Sequence, residues 1–130
     1  MSILDAITAQ LGKRDRFETG DNLLQVKTAL VKSRPKEGDD YIYMEYADPL
    51  DKEDGPTITN VIGMWGDFSH TQEYRNFANS HKIAAKSDLE TGPGENGSLR
   101  LKNLVGRRVI GNIGTDKEGR MTIKYYKQSE

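Results

Sequence analysis

The chain has 130 residues, of which 35 % are hydrophobic, and this length and composition predict one domain with a modest core. Its 19 basic and 20 acidic residues give a formal net charge of −1, which argues against a general polyanion binder. Because it has no cysteine, disulfides, thiolate catalysis and cysteine-based zinc sites are excluded. No apolar run is long enough for a transmembrane helix, and the N-terminus lacks the pattern of a secretory signal peptide. We therefore expect a cytoplasmic protein without membrane association.

The charges are distributed unevenly along the sequence. Residues 37–54 contain eight acidic side chains and one lysine, which gives a local charge of −7. Residues 99–127 contain eight basic and two acidic side chains, which gives +6. A nearly neutral protein can therefore present one basic face and one acidic edge.

The N-terminal residues predict a short amphipathic helix. Ile3, Leu4, Ile7 and Leu11 fall on one stripe, and Gly12 ends the pattern. A basic connector follows, so we separate residues 1–16 from the main domain at residues 17–130.

Apolar residues then alternate with polar ones in runs bounded by glycine, proline and acidic residues, which predicts five strands. These strands are residues 22–32, 41–47, 57–65, 107–114 and 120–126. On the first strand, Leu24, Val26 and Leu30 are expected to share one face.

The second strand has two distinct faces. Ile42, Met44 and Tyr46 share one face. The opposite face carries Tyr41, Tyr43 and Glu45.

One helix is predicted between the third and fourth strands. Ser69 and Gln72 have the spacing of a capping box, and Tyr74, Phe77 and His81 fall on one side up to an end near residue 81. Residues 86–98 are predicted to be a loop. The resulting order of three strands, a helix and two strands is that of the OB-fold, a five-stranded Greek-key barrel. Another small barrel or an α+β sandwich fits the same order.

Catalytic and cofactor motifs are not supported. Residues 92–97 match the spacing G-x-G-x-x-G, but a helix precedes them and a strand follows, which is the reverse of the dinucleotide-binding arrangement. The acidic loop at residues 48–55 fits no register of a calcium-binding EF-hand loop. His70 and His81 lack a second metal-ligand motif and are assigned to packing or helix-end polarity. We therefore predict no enzyme, cofactor or metal site.

Basic and aromatic residues on the predicted strands favour nucleic-acid binding. Bases stack on exposed rings, and lysine and arginine neutralise phosphates. Tyr41, Tyr43, Trp65 and Tyr126 are the predicted stacking rings. The predicted phosphate contacts are Lys27, Arg34, Lys36, Arg107, Arg108 and Lys124. Each ring also has an ordinary interpretation as a half-buried core residue.

Three stretches resemble phage-encoded OB-fold single-stranded DNA-binding proteins. These stretches are FETGDNLLQVKTALVKS, EYRNFANSHKI and LKNLVGRRVIGNI, and the most specific piece is NLVGRRV at residues 103–109. The resemblance spans residues 17–127 and implies a viral protein that covers unwound DNA during replication or recombination. Many such proteins end in an acidic tail that recruits partners, whereas the last three residues here carry one acid.

The sequence therefore predicts largely sequence-independent binding to single-stranded DNA that weakens with salt. RNA is the alternative nucleic acid that the residues leave open, and replication or recombination proteins are candidate partners. A protein-interaction barrel is the second hypothesis, in which the same aromatic and basic face forms an oligomer or binds a partner. A metal-dependent nuclease is the third and has no positive support.

Overall fold

The computed structural model describes residues 17–34, 39–50 and 55–129. The predicted N-terminal helix lies outside the described residues, as do residues 35–38 and 51–54. The described residues form a mainly β structure in which a curled antiparallel sheet makes a half-barrel, with one α-helix. No helix in this part of the chain has the length and apolarity needed to cross a bilayer.

Seven strands and the helix make up the regular structure. In chain order they are β1 (Gly20–Arg34), β2 (Asp39–Ala47), β3 (Thr57–Met64), α1 (Gln72–Ser80), β4 (Thr91–Pro93), β5 (Leu99–Leu101), β6 (Arg108–Thr115) and β7 (Met121–Gln128). Short 3₁₀ turns occupy Phe68–His70, Lys86–Leu89 and Glu95–Gly97. The five long strands and the helix confirm the predicted elements to within a few residues. The prediction of a plain loop over residues 86–98 was wrong, because this segment contains β4.

Strand β1 is the centre of the sheet. Its N-terminal part pairs with β6, its C-terminal part pairs with β5 on that same side, and β2 pairs along its opposite side. The sheet runs in the order β3-β2-β1-β5-β4, while β6 pairs with both β1 and β7. All these pairs are antiparallel. Because β1 has 15 residues, it is long enough to pair with β6 and β5 on one side and with β2 on the other.

A β-bulge at Lys27 changes which side chains of β1 point inward. Val26 pairs with Tyr46 and Thr28 pairs with Glu45, so Lys27 has no partner on β2. The extra residue reverses the alternation beyond it. Leu24 and Val26 point into the core before the bulge, and Ala29 is fully buried after it. Leu30 therefore lies on the face opposite Leu24, which corrects the prediction that the two share a face.

The core lies between the inner face of the sheet and α1. On β2 the alternation is confirmed, since Ile42, Met44 and Tyr46 are buried and the intervening residues are not. The helix begins after Thr71, whose hydroxyl accepts a hydrogen bond from the Tyr74 amide at 3.2 Å. The N-cap is thus Thr71 rather than the predicted Ser69. Phe77 is the buried side chain by which α1 joins the core.

Two edge strands of the sheet, β3 and β7, meet through polar side chains. The Asn60 amide of β3 donates to the Tyr126 hydroxyl of β7 at 2.8 Å. From α1, the Asn76 amide donates to the Tyr126 carbonyl at 2.9 Å, and its oxygen accepts from the Tyr126 amide at 2.7 Å. Asn76 thereby satisfies the backbone of β7 where a neighbouring strand would otherwise pair.

His81 is buried at the end of α1 and is hydrogen-bonded on both ring nitrogens. Nδ1 lies 2.8 Å from the Phe77 carbonyl, which can only accept, so Nδ1 carries the proton. Nε2 then accepts from the Tyr46 hydroxyl at 2.8 Å. The Tyr126 ring packs against the imidazole with ring centroids 4.9 Å apart. These contacts confirm that His81 has a packing role.

Burial makes the stability of the fold depend on pH. Burial lowers the pKa of His81 from 6.5 to about 4, and the nearby Arg107 guanidinium also lowers it. The neutral ring therefore stabilises the folded state fully above pH 6.5, and this stabilisation is lost as pH falls toward 4. From pH 7 to pH 5 we expect the free energy of unfolding to fall by about 2 kcal/mol. Urea unfolding at the two pH values measures the change.

The matched control for this effect is His70→Gln, because His70 is exposed. The variant should lose as much stability between pH 7 and pH 5 as the unaltered protein. The lowered pKa values of Asp21, Asp88 and Asp116 affect stability only below pH 3.8, outside this window. Equal unfolding free energies at pH 7 and pH 5 would show that the buried imidazole is not held neutral.

Candidate nucleic-acid interface

The side of the sheet turned away from the core carries exposed and half-buried rings beside basic side chains. Strand register aligns four residues in one row across β3, β2, β1 and β5. This row consists of Val61, Tyr43, Leu30 and Arg100. The next row contains Tyr41 and Lys32. We define the outer face as Lys27, Leu30, Lys32, Tyr41, Tyr43, Val61, Trp65 and Arg100.

Trp65 lies over the end of β3. A Cβ atom built on Gly63 would overlap the Trp65 ring, so the ring covers Gly63 on the outer face. The Cα partner of Gly63 on β2 is Tyr41, which places the indole at the edge of the tyrosine rows. Trp65 is 46 % exposed.

Lysine side chains lie close to the tyrosines. The Lys32 ammonium lies 4.4 Å from the centroid of the Tyr43 ring. The Lys27 ammonium lies 4.0 Å from the Glu45 carboxylate, which also accepts a hydrogen bond from the Thr28 hydroxyl. Because Lys27 is exposed, its ion pair with Glu45 is weak, and both lysines can approach a phosphate.

Four of the sequence-predicted site residues come together on the outer face: Lys27, Tyr41, Tyr43 and Trp65. Arg108 is exposed on β6 opposite Gln25, further along β1. Lys124 lies on β7, where it packs over Gly114 and lines a cavity that Asn60 of β3 also lines. Arg34 ends β1 with its side chain outside the description, and Lys36 lies outside the described residues.

The prediction that Tyr126 stacks on bases is corrected by its position. Tyr126 is only 5 % exposed and belongs to the core. Its ring packs against Tyr46 at 5.6 Å between centroids, and burial raises its pKa to about 12. The neighbouring Tyr125 is the exposed ring of this strand, at 44 %. The bulge between Asn112 and Ile113 in the β6–β7 pairing defines which of these two adjacent tyrosines points inward.

Arg107 is likewise engaged inside the fold rather than presented to a ligand. Its guanidinium donates to Asp88 at 2.6 Å and to the His81 carbonyl at 2.9 Å. Its Nε donates to the Asn103 carbonyl at 2.9 Å. The contact with Arg107 lowers the pKa of Asp88 to about 2. Arg107 therefore connects the end of α1 to the segments on both sides of the β4–β5 hairpin.

Other basic residues of the C-terminal quarter also have acidic partners. Lys102 pairs with Glu90 at 3.0 Å, and Lys127 pairs with Asp21 at 2.9 Å. Arg120 pairs with both acids of its own turn. The local charge of +6 is therefore partly neutralised by folding, and the basic side chains nearest the exposed rings come from β1 and β5.

Four members of the outer face were not predicted from the sequence as site residues: Leu30, Lys32, Val61 and Arg100. The bulge moved Leu30 and Lys32 to this face, and no residue pattern marks a bulge at Lys27. Arg100 lies on a three-residue strand inside a segment rich in glycine and serine. Within residues 17–34, 39–50 and 55–129, no three His, Asp or Glu side chains form a group that could hold a metal ion.

Arg107 and Arg108 are adjacent in sequence but differ in their surroundings, and this difference tests the structural role assigned to Arg107. Arg107→Ala should lower the free energy of unfolding by about 2 kcal/mol, because it leaves Asp88 and the part-buried His81 carbonyl without their donor. Arg108→Ala should change it by less than about 0.5 kcal/mol, because Arg108 is exposed. Urea unfolding of both variants measures the difference. Equal losses would contradict the structural role of Arg107.

Comparison with known proteins assigns no family to this arrangement. No protein-family model and no curated protein matches the sequence. The function is therefore argued from the outer face itself.

Proposed function

We propose that the protein binds single-stranded DNA on its outer face, without catalysis and with little sequence preference. The observation that carries this proposal is the grouping of Trp65, Tyr41 and Tyr43 with Lys27, Lys32 and Arg100 on adjoining strands of one face. Aromatic rings stack on any base, because every base has a π-face, and the cations neutralise the backbone. An unpaired strand exposes its bases and phosphates together, which is what this surface requires.

The connectivity of the half-barrel supports the proposal. Three consecutive strands, β1 to β3, are followed by α1, by the β4–β5 hairpin, and then by β6, which pairs with β1, and β7, which pairs with β6. Asn60 and Tyr126 bring β3 and β7 together at the open side. This arrangement is compatible with the OB-fold, an architecture that binds oligonucleotides on its strands 2 and 3. Tyr41, Tyr43, Val61 and Trp65 lie on β2, on β3 or directly after β3.

The proposal also fits the absence of a strongly basic total charge. The outer face has three cations, Lys27, Lys32 and Arg100, and Lys27 is paired with the Glu45 carboxylate, so the electrostatic attraction is moderate. Stacking must then supply much of the affinity, at about 1–3 kcal/mol per base. A surface of this kind prefers unpaired strands, because bases in a duplex are already stacked on one another. As the resemblance implies, a role in phage replication or recombination is the biological part of the proposal.

A protein-binding surface is the alternative, and the exposure of Val61 and Trp65 favours it specifically. Both side chains are more than 40 % exposed on the outer face. Apolar and aromatic side chains beside arginine are also typical of the centres of protein interfaces. In that case alanine substitutions on the outer face would change the oligomeric state or partner binding, and the protein would not bind oligonucleotides.

The stacking residues can be tested by fluorescence anisotropy with labelled oligo-dT. Tyr43→Ala should weaken binding by about ten-fold, because a stacked base loses its ring. Tyr43→Phe should bind as the unaltered protein does, because the ring rather than the hydroxyl group makes the contact. Tyr125→Ala is the matched control, since Tyr125 is equally a strand tyrosine, exposed on β7. A loss with Tyr125→Ala as large as that with Tyr43→Ala would place the binding surface elsewhere.

A further inference from the structure

The short β4–β5 hairpin forms a boundary along one side of the outer face. Arg100 of β5 pairs with Leu30 of β1, and Leu99 pairs with Val31. The hairpin therefore continues the sheet beyond β1, on the side away from the tyrosines. At its base, Lys102 forms an ion pair with Glu90 at 3.0 Å.

Two cavities lie beside this hairpin, and both are lined by Leu30. The first has a volume of about 340 Å³, and its lining includes Lys32, Tyr41 and Ser98. The second has a volume of about 480 Å³, and its lining includes Lys27 and Arg100. Each cavity thus joins outer-face residues to one part of the hairpin, and a basic side chain is present in each.

The tip of the hairpin has a defined shape. The Gly94 amide donates to the Ser98 carbonyl at 3.1 Å, which closes the turn. A Cβ atom on Gly94 would lie 2.8 Å from that same carbonyl oxygen, so the close approach requires glycine. Asn96 and Gly97 both have positive φ, at 53° and 79°, as a tight turn demands. The glycine-rich sequence therefore forms a compact turn beside the outer face.

Arg100 is the cation of this region with the fewest competing contacts. It is exposed, and no carboxylate of the described residues forms an ion pair with it. Lys27, in contrast, shares the same cavity but lies 4.0 Å from Glu45. An arginine can bind a phosphate through two parallel hydrogen bonds. Arg100 is therefore the outer-face side chain best suited to bind a phosphate group.

We propose that the β4–β5 hairpin and β1 form a groove that holds two consecutive nucleotides of a single strand, one on each side of Leu30. Arg100 binds the phosphate at the second cavity and Lys32 binds the phosphate at the first, while Tyr41 contacts the base beside Lys32. The groove extends the tyrosine surface across β1 and sets the path of the strand. This inference rests on the proposed function and adds a binding element whose first strand and turn the sequence alone predicted to be a loop.

The test compares Arg100→Ala with Lys117→Ala by anisotropy with labelled oligo-dT over a range of salt concentrations. Lys117→Ala is matched in charge, because Lys117 is an exposed cation in the β6–β7 turn. Arg100→Ala should weaken binding about ten-fold at low salt. Its plot of log affinity against log salt should be less steep by about 0.7, the value for one lost phosphate contact on a single strand. Lys117→Ala should match the unaltered protein in both respects.

A second variant, Ser98→Trp, fills the first cavity without changing charge and should also weaken binding. Thermal unfolding of each variant verifies that it is folded. If the unaltered protein binds and Tyr43→Ala weakens binding, but Arg100→Ala and Ser98→Trp bind normally, the groove is refuted and the proposed function stands. If the unaltered protein does not bind oligo-dT at all, the proposed function itself is refuted. If Arg100→Ala and Lys117→Ala weaken binding equally, Arg100 contributes only through its positive charge and not at a defined position, and the groove is also refuted.

Discussion

The fold and the candidate site both depend on the pairing of β1 and on its single bulge. A strand of 15 residues bonded to β2, β5 and β6 must supply inward side chains to two parts of one core. The bulge at Lys27 lets Leu24 and Val26 face inward before it and Ala29 after it. The same reversal places Leu30 and Lys32 outside, next to Tyr43 and Tyr41. One inserted residue thus determines which side chains of β1 belong to the core and which belong to the outer face.

The inner side of the sheet is specified by polar contacts as well as by apolar packing. Tyr46, His81 and Tyr126 form a buried group in which the histidine is neutral and hydrogen-bonded at both nitrogens. Such buried polar groups stabilise a fold only when each is satisfied. Asn76 adds a second constraint, because its amide occupies the edge of β7. Together these contacts fix α1 at the open side of the half-barrel.

The strand pattern was largely predictable, because alternation of apolar residues is strong where one face is buried. On β2 it identified both the buried Ile42 and the outward Tyr43. It failed for Leu30, since a bulge shifts the alternation without altering the local composition. It also failed for Arg107 and Tyr126, whose partners Asp88 and Tyr46 are distant in sequence. No count of basic and aromatic residues along the chain can tell an arginine that is paired internally from one that faces solvent.

The β4–β5 hairpin shows a different limit. Three-residue strands carry too few residues for periodicity to be seen, and glycine and serine predict a loop. The pairing of β5 with β1, which places Arg100 opposite Leu30, is a tertiary effect. The basic side chains of the candidate site therefore come mainly from β1 and β5, whereas the sequence pointed to the final hairpin for half of the phosphate contacts. The aromatic side chains come from β2 and from the end of β3.

The most direct measurement of the central claim uses the emission of Trp65, the only tryptophan of the chain. If bases stack on the outer face, titration with unlabelled oligo-dT should quench this emission, and the quenching curve should coincide with the anisotropy curve. Addition of salt should reverse both signals together. Binding seen by anisotropy with unchanged tryptophan emission would show that the strand binds elsewhere and would contradict the account.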